Sequence, residues 1–178
     1  MKKTVLTFGI ISGVVIAVLM GVNTFFAEQI GFDRAIFAGY AAMLVAFLLV
    51  FFGIKSYRDN IGGGEISFGR AFTVGILIAL ITCVFYVGIW EILYYTILND
   101  FPEKYGNYVI EKARAGGATP EQMAQQLEEV KQMKALLDNP LLGPAVIFIA
   151  EPLPVGVVMT LISAAILRKR RKQVEVPV

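Results

Sequence analysis

Histidine is absent from this sequence of 178 residues, and cysteine occurs once, as Cys83. Without histidine the chain lacks the commonest metal ligand and the usual general base near neutral pH. A single cysteine excludes an intrachain disulfide and argues against a metal-binding cluster. Charged residues make up only 17% of the chain, and a formal net charge of +2 gives no reason to expect nucleic-acid binding. The sequence therefore predicts no metal and no other cofactor, and it argues against an enzyme.

Hydrophobic residues, by contrast, make up 57% of the chain and are concentrated in long runs. Four runs cover about residues 4–27, 35–54, 71–98 and 141–167. At a rise of about 1.5 Å per residue, each can cross a hydrocarbon core of about 30 Å. The runs are continuous rather than alternating, which predicts helices and not a barrel. We therefore expect an all-α integral membrane protein, a four-span antiparallel helical bundle in the lipid bilayer.

Basic residues predict how these spans are oriented. They cluster at the run ends that share one side of the bundle, at Lys2, Lys3, Lys55, Arg58, Arg70 and the segment 168–172. The short connection between the first two runs has only Arg34. The C-terminal RKRRK cluster is either ordinary stop-transfer charge or a binding site for anionic lipid. The positive-inside rule predicts that both termini are cytoplasmic.

The segment 99–140 is then extracytoplasmic, and its pattern predicts a helical hairpin. A first short helix should end at the glycine pair 116–117. Thr119, with Gln122 three positions later, forms a capping-box pattern that begins a second helix. Apolar residues recur along this second helix at helical spacing: Met123, Leu127, Val130, Met133 and Leu137. The apolar side chains of this Met123–Leu137 stripe must be buried against another surface, and the stripe is the candidate contact surface for a protein partner.

Two glutamates lie inside the apolar runs. Glu91 is in the third run and Glu151 in the fourth, and neither run contains a Lys, Arg or His. A charge at the centre of a bilayer costs at least about 2.5 kcal/mol, so each residue is a candidate functional group. Both lie roughly 10–15 Å below the outer surface by residue count. Two carboxyl groups at one depth can share a proton or a cation, which predicts an ion or proton site.

Neighbouring groups extend this candidate site, although two other interpretations stay open. Tyr94 and Tyr95 follow Glu91 by three and four positions and so share its helix face. The prolines after Glu151 interrupt its helix and free carbonyl oxygens as further acceptors. In the second interpretation both acids are structural, either hydrogen-bonded between helices or paired with Arg34. In the third they lie near the membrane interface incidentally.

Small residues recur at every fourth position of the first run. They are Gly9, Gly13, Ala17 and Gly21. Such a stripe lets helices approach closely, either within one chain or between two copies, so a homo-oligomer is one alternative. Asn23 on the same run is a candidate to bond toward the two glutamates.

Four short patterns occur in order along nearly the whole chain. ISFGRAF opens the third run, NDFP follows it, GGATPEQ leads into the amphipathic helix, and the last run ends in Arg and Lys. Together they resemble an uncharacterised bacterial membrane-protein family, domain-of-unknown-function family 4199. The resemblance implies a four-span bundle in a bacterial cytoplasmic, or inner, membrane. It implies no activity, cofactor or catalytic residue.

Three classes of function are therefore open. The first, which we favour, is a non-enzymatic accessory protein that acts through a partner at the Met123–Leu137 stripe. The second is a small transporter or channel for protons or cations that uses Glu91 and Glu151. Its four spans show no inverted repeat, so a pore would need oligomers. The third is a membrane enzyme, for which the sequence offers no histidine, nucleophile motif or metal cluster.

Overall fold

A computed structural model of the protein describes residues 1–169, and within them every regular element is an α-helix. The helices are α1 (Lys2–Ile30), α2 (Phe32–Asn60), α3 (Phe68–Thr96), α4 (Phe101–Ala115), α5 (Pro120–Leu137), α6 (Leu142–Ala150) and α7 (Pro152–Leu167). The all-helical prediction is thereby confirmed for this part of the chain. Arg170, Arg171 and Lys172 of the C-terminal basic cluster lie outside the described residues.

Four of the helical stretches are long and apolar enough to cross a membrane. They are α1, α2 and α3, each 29 residues long, and the stretch 142–167 that α6 and α7 share. The first two helices extend past the runs 4–27 and 35–54 because their polar ends continue the helical backbone beyond the apolar part. Four such helices are those of a multi-pass membrane protein.

The interior of the protein lies where these four stretches meet. Helix α1 packs against α2 and α3, and α7 packs against α3 and α2. Phe47, Val50 and Ile54 of α2 and Val74 and Ile78 of α3 are completely buried at this centre. The opposite sides of the same helices keep large apolar side chains exposed, as a surface in contact with lipid requires.

The small-residue stripe of α1 is used for packing within the chain at its first two members. A Cβ atom on Gly9 would lie 2.8 Å from Cδ1 of Ile81, and one on Gly13 would lie 2.4 Å from Cγ of Phe85. Both contacts are with α3, so these glycines let α1 and α3 approach closely. Gly21, two turns further along, has no such neighbour within 4 Å.

The connections between the apolar helices lie at two opposite ends. At one end, Ile66 before α3 and Lys169 after α7 exchange two backbone hydrogen bonds of 3.1 and 2.9 Å. At the other end, α4 contacts the start of α2, where Nζ of Lys112 lies 2.7 Å from Oδ1 of Asp33. The α2–α3 connection therefore lies beside the end of α7, and α4 lies beside the α1–α2 turn.

The polar segment between α3 and α6 forms the two helices that the sequence predicts. Helix α4 is followed by Gly117 at φ 80°, a left-handed conformation that suits glycine after a helix. The Thr119 hydroxyl accepts a hydrogen bond from the Gln122 backbone at 3.3 Å, and the Gln122 side chain accepts one from the Thr119 backbone at 2.9 Å. The predicted capping box is thereby confirmed. Val130 of α5 packs against Gly106 of α4.

Candidate functional site

Glu151 makes a hydrogen bond inside the protein, between the break in the fourth apolar stretch and α3. Its Oε2 accepts a hydrogen bond from the Tyr86 hydroxyl group, with 2.5 Å between the two oxygens. Tyr86 is only 7% exposed, so the contact is shielded from the surroundings. A phenol is a neutral donor that satisfies a carboxyl group without a counter-ion. The structure thus provides the interior partner that Glu151 needs in an apolar setting.

The backbone around Glu151 is interrupted. This residue ends α6, and its own N–H donates to the carbonyl oxygen of Ile147 at 3.1 Å. Pro152 and Pro154 follow at the start of α7, and neither has an N–H to donate to the helical ladder. The carbonyl oxygens four residues before each proline therefore lack their usual donors. They belong to Phe148 and Ala150, which precede Glu151 along the chain.

Glu91 lies on the opposite side of α3 from this contact. It follows Tyr86 by five residues, and at about 100° per residue the two side chains leave the helix about 140° apart. Val84 and Tyr95, seven positions before Glu91 and four after it, share its face and are 64% and 54% exposed. Glu91 is itself half-buried and therefore lies at the edge of the outward sector of α3. Its Oε1 is shielded by the chain itself and has no hydrogen-bond partner among the described residues.

The two candidate tyrosines also differ in their surroundings. The Tyr94 hydroxyl donates a hydrogen bond to Oδ1 of Asp138 at 2.7 Å, and its ring stacks on Trp90 with 4.7 Å between centroids. Asp138 accepts a second hydrogen bond from Lys134, and the bonds from Lys134 and Tyr94 lower the pKa of its carboxyl group. Tyr95 is half exposed on the outward sector. Tyr94 thus joins α3 to the end of α5 instead of donating to Glu91.

The structure does not gather the four predicted residues into one hydrogen-bonded group. Glu151 points inward, Glu91 lies on another side of α3, and the hydroxyl of Tyr94 donates to Asp138. Arg34 is exposed and forms no ion pair with either glutamate. The side chain of Asn23, which was a candidate to bond toward the glutamates, instead donates to the carbonyl oxygen of Ala35 at 3.0 Å.

Sequence reasoning missed Tyr86 and Asp138, the two groups that bond to candidate residues. The depth of Tyr86 in the apolar region could have identified it as a partner of Glu151. Tyr86 lies ten residues before Thr96 at the end of α3, and Glu151 lies nine after Leu142 at the start of α6. At 1.5 Å per residue, these positions are roughly 15 and 13 Å from the same end of the apolar region. Matching depth alone would have placed Tyr86 among the possible partners of Glu151.

The Met123–Leu137 stripe divides into an internal line and two exposed edges. Leu137 is buried, Val130 packs against α4, and Met123 is half-buried. Leu127 is 40% exposed and Met133 is 51% exposed. At about 100° per residue these two side chains leave α5 about 120° apart, on either side of the internal line. The chain therefore covers the centre of the stripe itself and leaves its edges open.

Residues 1–169 contain no group of three or more His, Cys, Asp or Glu side chains that could hold a metal ion.

The family model described as "Protein of unknown function (DUF4199)" matches residues 7–169. The chain belongs to this family. The match runs from within α1 to the end of α7, and it confirms the resemblance that the sequence patterns indicate. No curated protein and no solved structure matches the chain.

Proposed function

We propose that this protein of the DUF4199 family is a non-enzymatic accessory membrane protein that binds a protein partner through α5. The observation that carries this proposal is the exposure of Leu127 and Met133 on a helix whose internal apolar line is already covered. Apolar side chains form the centre of protein interfaces, and methionine is enriched there relative to the rest of the surface. The capping box at Thr119 gives α5 a defined start, so that the two edges are presented on a rigid element.

Charge substitutions on the two edges test this proposal. Leu127→Glu and Met133→Glu should each keep the fold, because both side chains are exposed, and at least one should abolish recovery of a partner crosslinked to the intact protein in native membranes. Gln125→Glu, which adds the same charge at an exposed polar position of α5, is the matched control and should leave recovery unchanged. Equal recovery from all three variants would contradict the proposal.

The proposed membrane arrangement is a four-span antiparallel bundle with both termini in the cytoplasm and an outer α4–α5 hairpin. Two observations support it: the bridge between Ile66 and Lys169 at one end, and the contact of Lys112 with Asp33 at the other. The distribution of basic residues gives the orientation. In intact cells, a membrane-impermeant thiol reagent should label Gln125→Cys and should not label Gly63→Cys. Labelling of Gly63→Cys alone would reverse the orientation.

Proton or cation handling at Glu151 is the second candidate function. The observation that favours it is the hydrogen bond of Glu151 with Tyr86 at a backbone that Pro152 and Pro154 interrupt. Such a site can hold a proton, or a cation with the carboxylate as its counter-charge. Glu151→Gln should then abolish proton or cation flux in proteoliposomes, whereas Glu91→Gln should not. Unchanged flux in Glu151→Gln would eliminate this function.

A further inference from the structure

The end of the molecule at which Ile66 and Lys169 meet carries an excess of positive charge. Among residues 1–169, this end has two acidic side chains, Asp59 and Glu65, and seven basic ones: Lys2, Lys3, Lys55, Arg58, Arg70, Arg168 and Lys169. Some excess of positive charge is expected at one end of a membrane bundle. Three of these basic groups are, in addition, gathered around one carboxylate.

The end of α2 and the residues after α7 supply these three groups. Nε of Arg58 lies 2.7 Å from Oδ1 of Asp59, and Lys55 and Lys169 are also close enough to attract the Asp59 carboxylate. Lys55 precedes Asp59 by about one helical turn. Lys169 comes from the other side, and its two backbone hydrogen bonds with Ile66 fix it beside the loop that follows α2. We call Lys55, Arg58, Asp59 and Lys169 the basic cluster.

The basic cluster has more positive charge than the chain neutralises. Three cations surround one carboxylate, so two positive charges remain. Asp59 is paired with Arg58, and within residues 1–169 neither Lys55 nor Lys169 forms an ion pair. Both lysines are exposed, so their ammonium groups are accessible to a ligand. Lysine is a common ligand of phosphate, and the cluster is therefore complementary in charge to a phosphate group.

The depth of the basic cluster indicates the source of that phosphate. Lys55 directly follows the apolar run that ends at Ile54, and Lys169 lies two residues after the end of α7 at Leu167. At 1.5 Å per residue, the cluster residues of α2 lie roughly 2–8 Å beyond Ile54. The headgroup layer of a bilayer extends about 5–7 Å beyond each side of the hydrocarbon core. The cluster therefore lies at the depth of the lipid phosphates.

Apolar side chains border the basic cluster. Ile61, two residues after Asp59, is 53% exposed, and Phe68 at the start of α3 is 41% exposed. The acyl chains of a lipid can cover such side chains and gain free energy by doing so. A free phosphate ion gains nothing from them. The surroundings of the cluster therefore favour a lipid over a soluble anion.

We propose that the basic cluster binds the headgroup of an anionic phospholipid between the end of α2 and the residues after α7. A headgroup whose only charge is its phosphate complements the two remaining positive charges. The choline group of phosphatidylcholine is repelled by the same charges. The site lies in a different part of the chain from α5 and from Glu151, so it does not depend on either proposed function.

Titration of the protein with lipid in detergent tests the selectivity of the site. Native mass spectrometry counts the lipids that stay bound and gives the dissociation constant. Each basic residue near an anionic lipid contributes about fivefold to binding, so the two unpaired lysines should favour phosphatidylglycerol over phosphatidylcholine about 25-fold. Equal binding of the two lipids would overturn the proposal.

Removal of the two lysines tests the position of the site. The double variant Lys55→Gln, Lys169→Gln should raise the dissociation constant of phosphatidylglycerol about 25-fold. The double variant Lys2→Gln, Lys3→Gln is the matched control, because it removes the same charge from the same end but outside the cluster. It should bind like the unmodified chain. Equal losses in the two variants would indicate diffuse attraction by the whole end and overturn the site.

Asp59→Asn should change binding in the opposite direction. The substitution removes the carboxylate that Arg58 pairs with, so the affinity for phosphatidylglycerol should rise about fivefold. Asp59 is exposed, so the variant should keep the helical content and the thermal midpoint of the unmodified chain. This variant decides the matter if the double lysine variant fails to fold. An affinity that does not rise would contradict the proposal.

Inorganic phosphate distinguishes a lipid from a free anion as the occupant. Added at the same concentration as phosphatidylglycerol, it should leave the lipid bound, because it lacks the acyl chains that contact the apolar border. Displacement of the lipid by this phosphate would assign the cluster to a soluble anion and overturn the proposal.

Discussion

Glu151 and Glu91 are the same residue type in similar apolar runs, yet their surroundings differ. Glu151 points into the protein and accepts a hydrogen bond from Tyr86. Glu91 points away from that contact, and one of its carboxyl oxygens lacks a donor in the described part of the chain. The direction in which each side chain leaves its helix decides whether the chain itself supplies a partner. Whether a glutamate in an apolar helix finds a hydrogen-bond partner within the chain therefore depends on the helix face it occupies and not only on its depth.

Two glycines of α1 repeat the same contrast. Gly13 points inward, and a Cβ on it would lie 2.4 Å from the ring of Phe85, whereas Gly21 has open space beside it. The interior positions are therefore fixed by neighbours within the chain. No side chain of the chain restricts the residue type at the outward positions. Only contact with lipid or with another polypeptide can restrict it there. This difference can be tested by paired substitutions.

The largest expected effect comes from the glycines. Gly13→Leu should destabilise the folded protein by about 3 kcal/mol or more, because the added side chain overlaps Phe85 and forces α1 away from α3. Gly21→Leu should change the stability by less than about 0.5 kcal/mol, as expected at a surface position. Reversible unfolding by detergent titration in mixed micelles measures both. Equal destabilisation would show that the inward and outward sides of α1 are not distinguished as described.

The two glutamates should give the next largest effect. Glu151→Leu leaves the Tyr86 hydroxyl without an acceptor and should destabilise the monomer by about 1–3 kcal/mol. Adding Tyr86→Phe removes the unpaired hydroxyl, so the double variant should be more stable than the sum of the two single changes predicts. Strict additivity in this double-mutant cycle would show that the hydrogen bond contributes nothing.

Glu91→Leu is the matched control for this cycle. It should change the stability of the monomer in detergent by less than about 0.5 kcal/mol, or increase it, because Glu91 has no partner to lose within the chain. A loss as large as that of Glu151→Leu would mean that the chain does provide a partner for Glu91. The comparison between the two glutamates would then fail.

Much of the fold could be predicted because the constraints on it are local. Continuous apolar runs fix the membrane-spanning helices, since lipid leaves the backbone few other ways to satisfy its polar groups. The start of α5 at the Thr119 capping box and the end of α4 at the glycine pair could also be predicted, because each depends on residues a few positions apart. The helix ends were less predictable. Polar residues such as Lys55 and Arg58 continue α2 past the apolar run without any change in pattern.

The candidate site was less predictable because its contacts depend on helix rotation. Depth can be counted along a sequence, but the helix ends in the structure put Glu91 only five residues, about 7 Å, from the end of α3, whereas Glu151 lies about 13 Å from the start of α6. Rotation about the helix axis depends on which face packs against which neighbour, and that is set by long-range contacts such as Gly13 with Phe85. Tyr94 was expected to face Glu91, but Asp138, outside the apolar runs, is the acceptor that its hydroxyl finds.

The smallest expected effect concerns this contact between α3 and the end of α5. Hydrogen bonds from Lys134 and Tyr94 lower the pKa of Asp138 below its usual range. A carboxyl group whose pKa is lowered by folding stabilises the protein at pH values above its ordinary pKa of about 3.9 and loses that contribution as the pH falls through the lowered value. The thermal midpoint should therefore decrease slightly below about pH 4, and less so in Asp138→Asn. The decrease should be small because the Asp138 side chain is 43% exposed. An Asp138→Asn protein with the same pH profile as the unmodified chain would show that this outer contact, unlike the interior pair of Glu151 and Tyr86, does not contribute to stability.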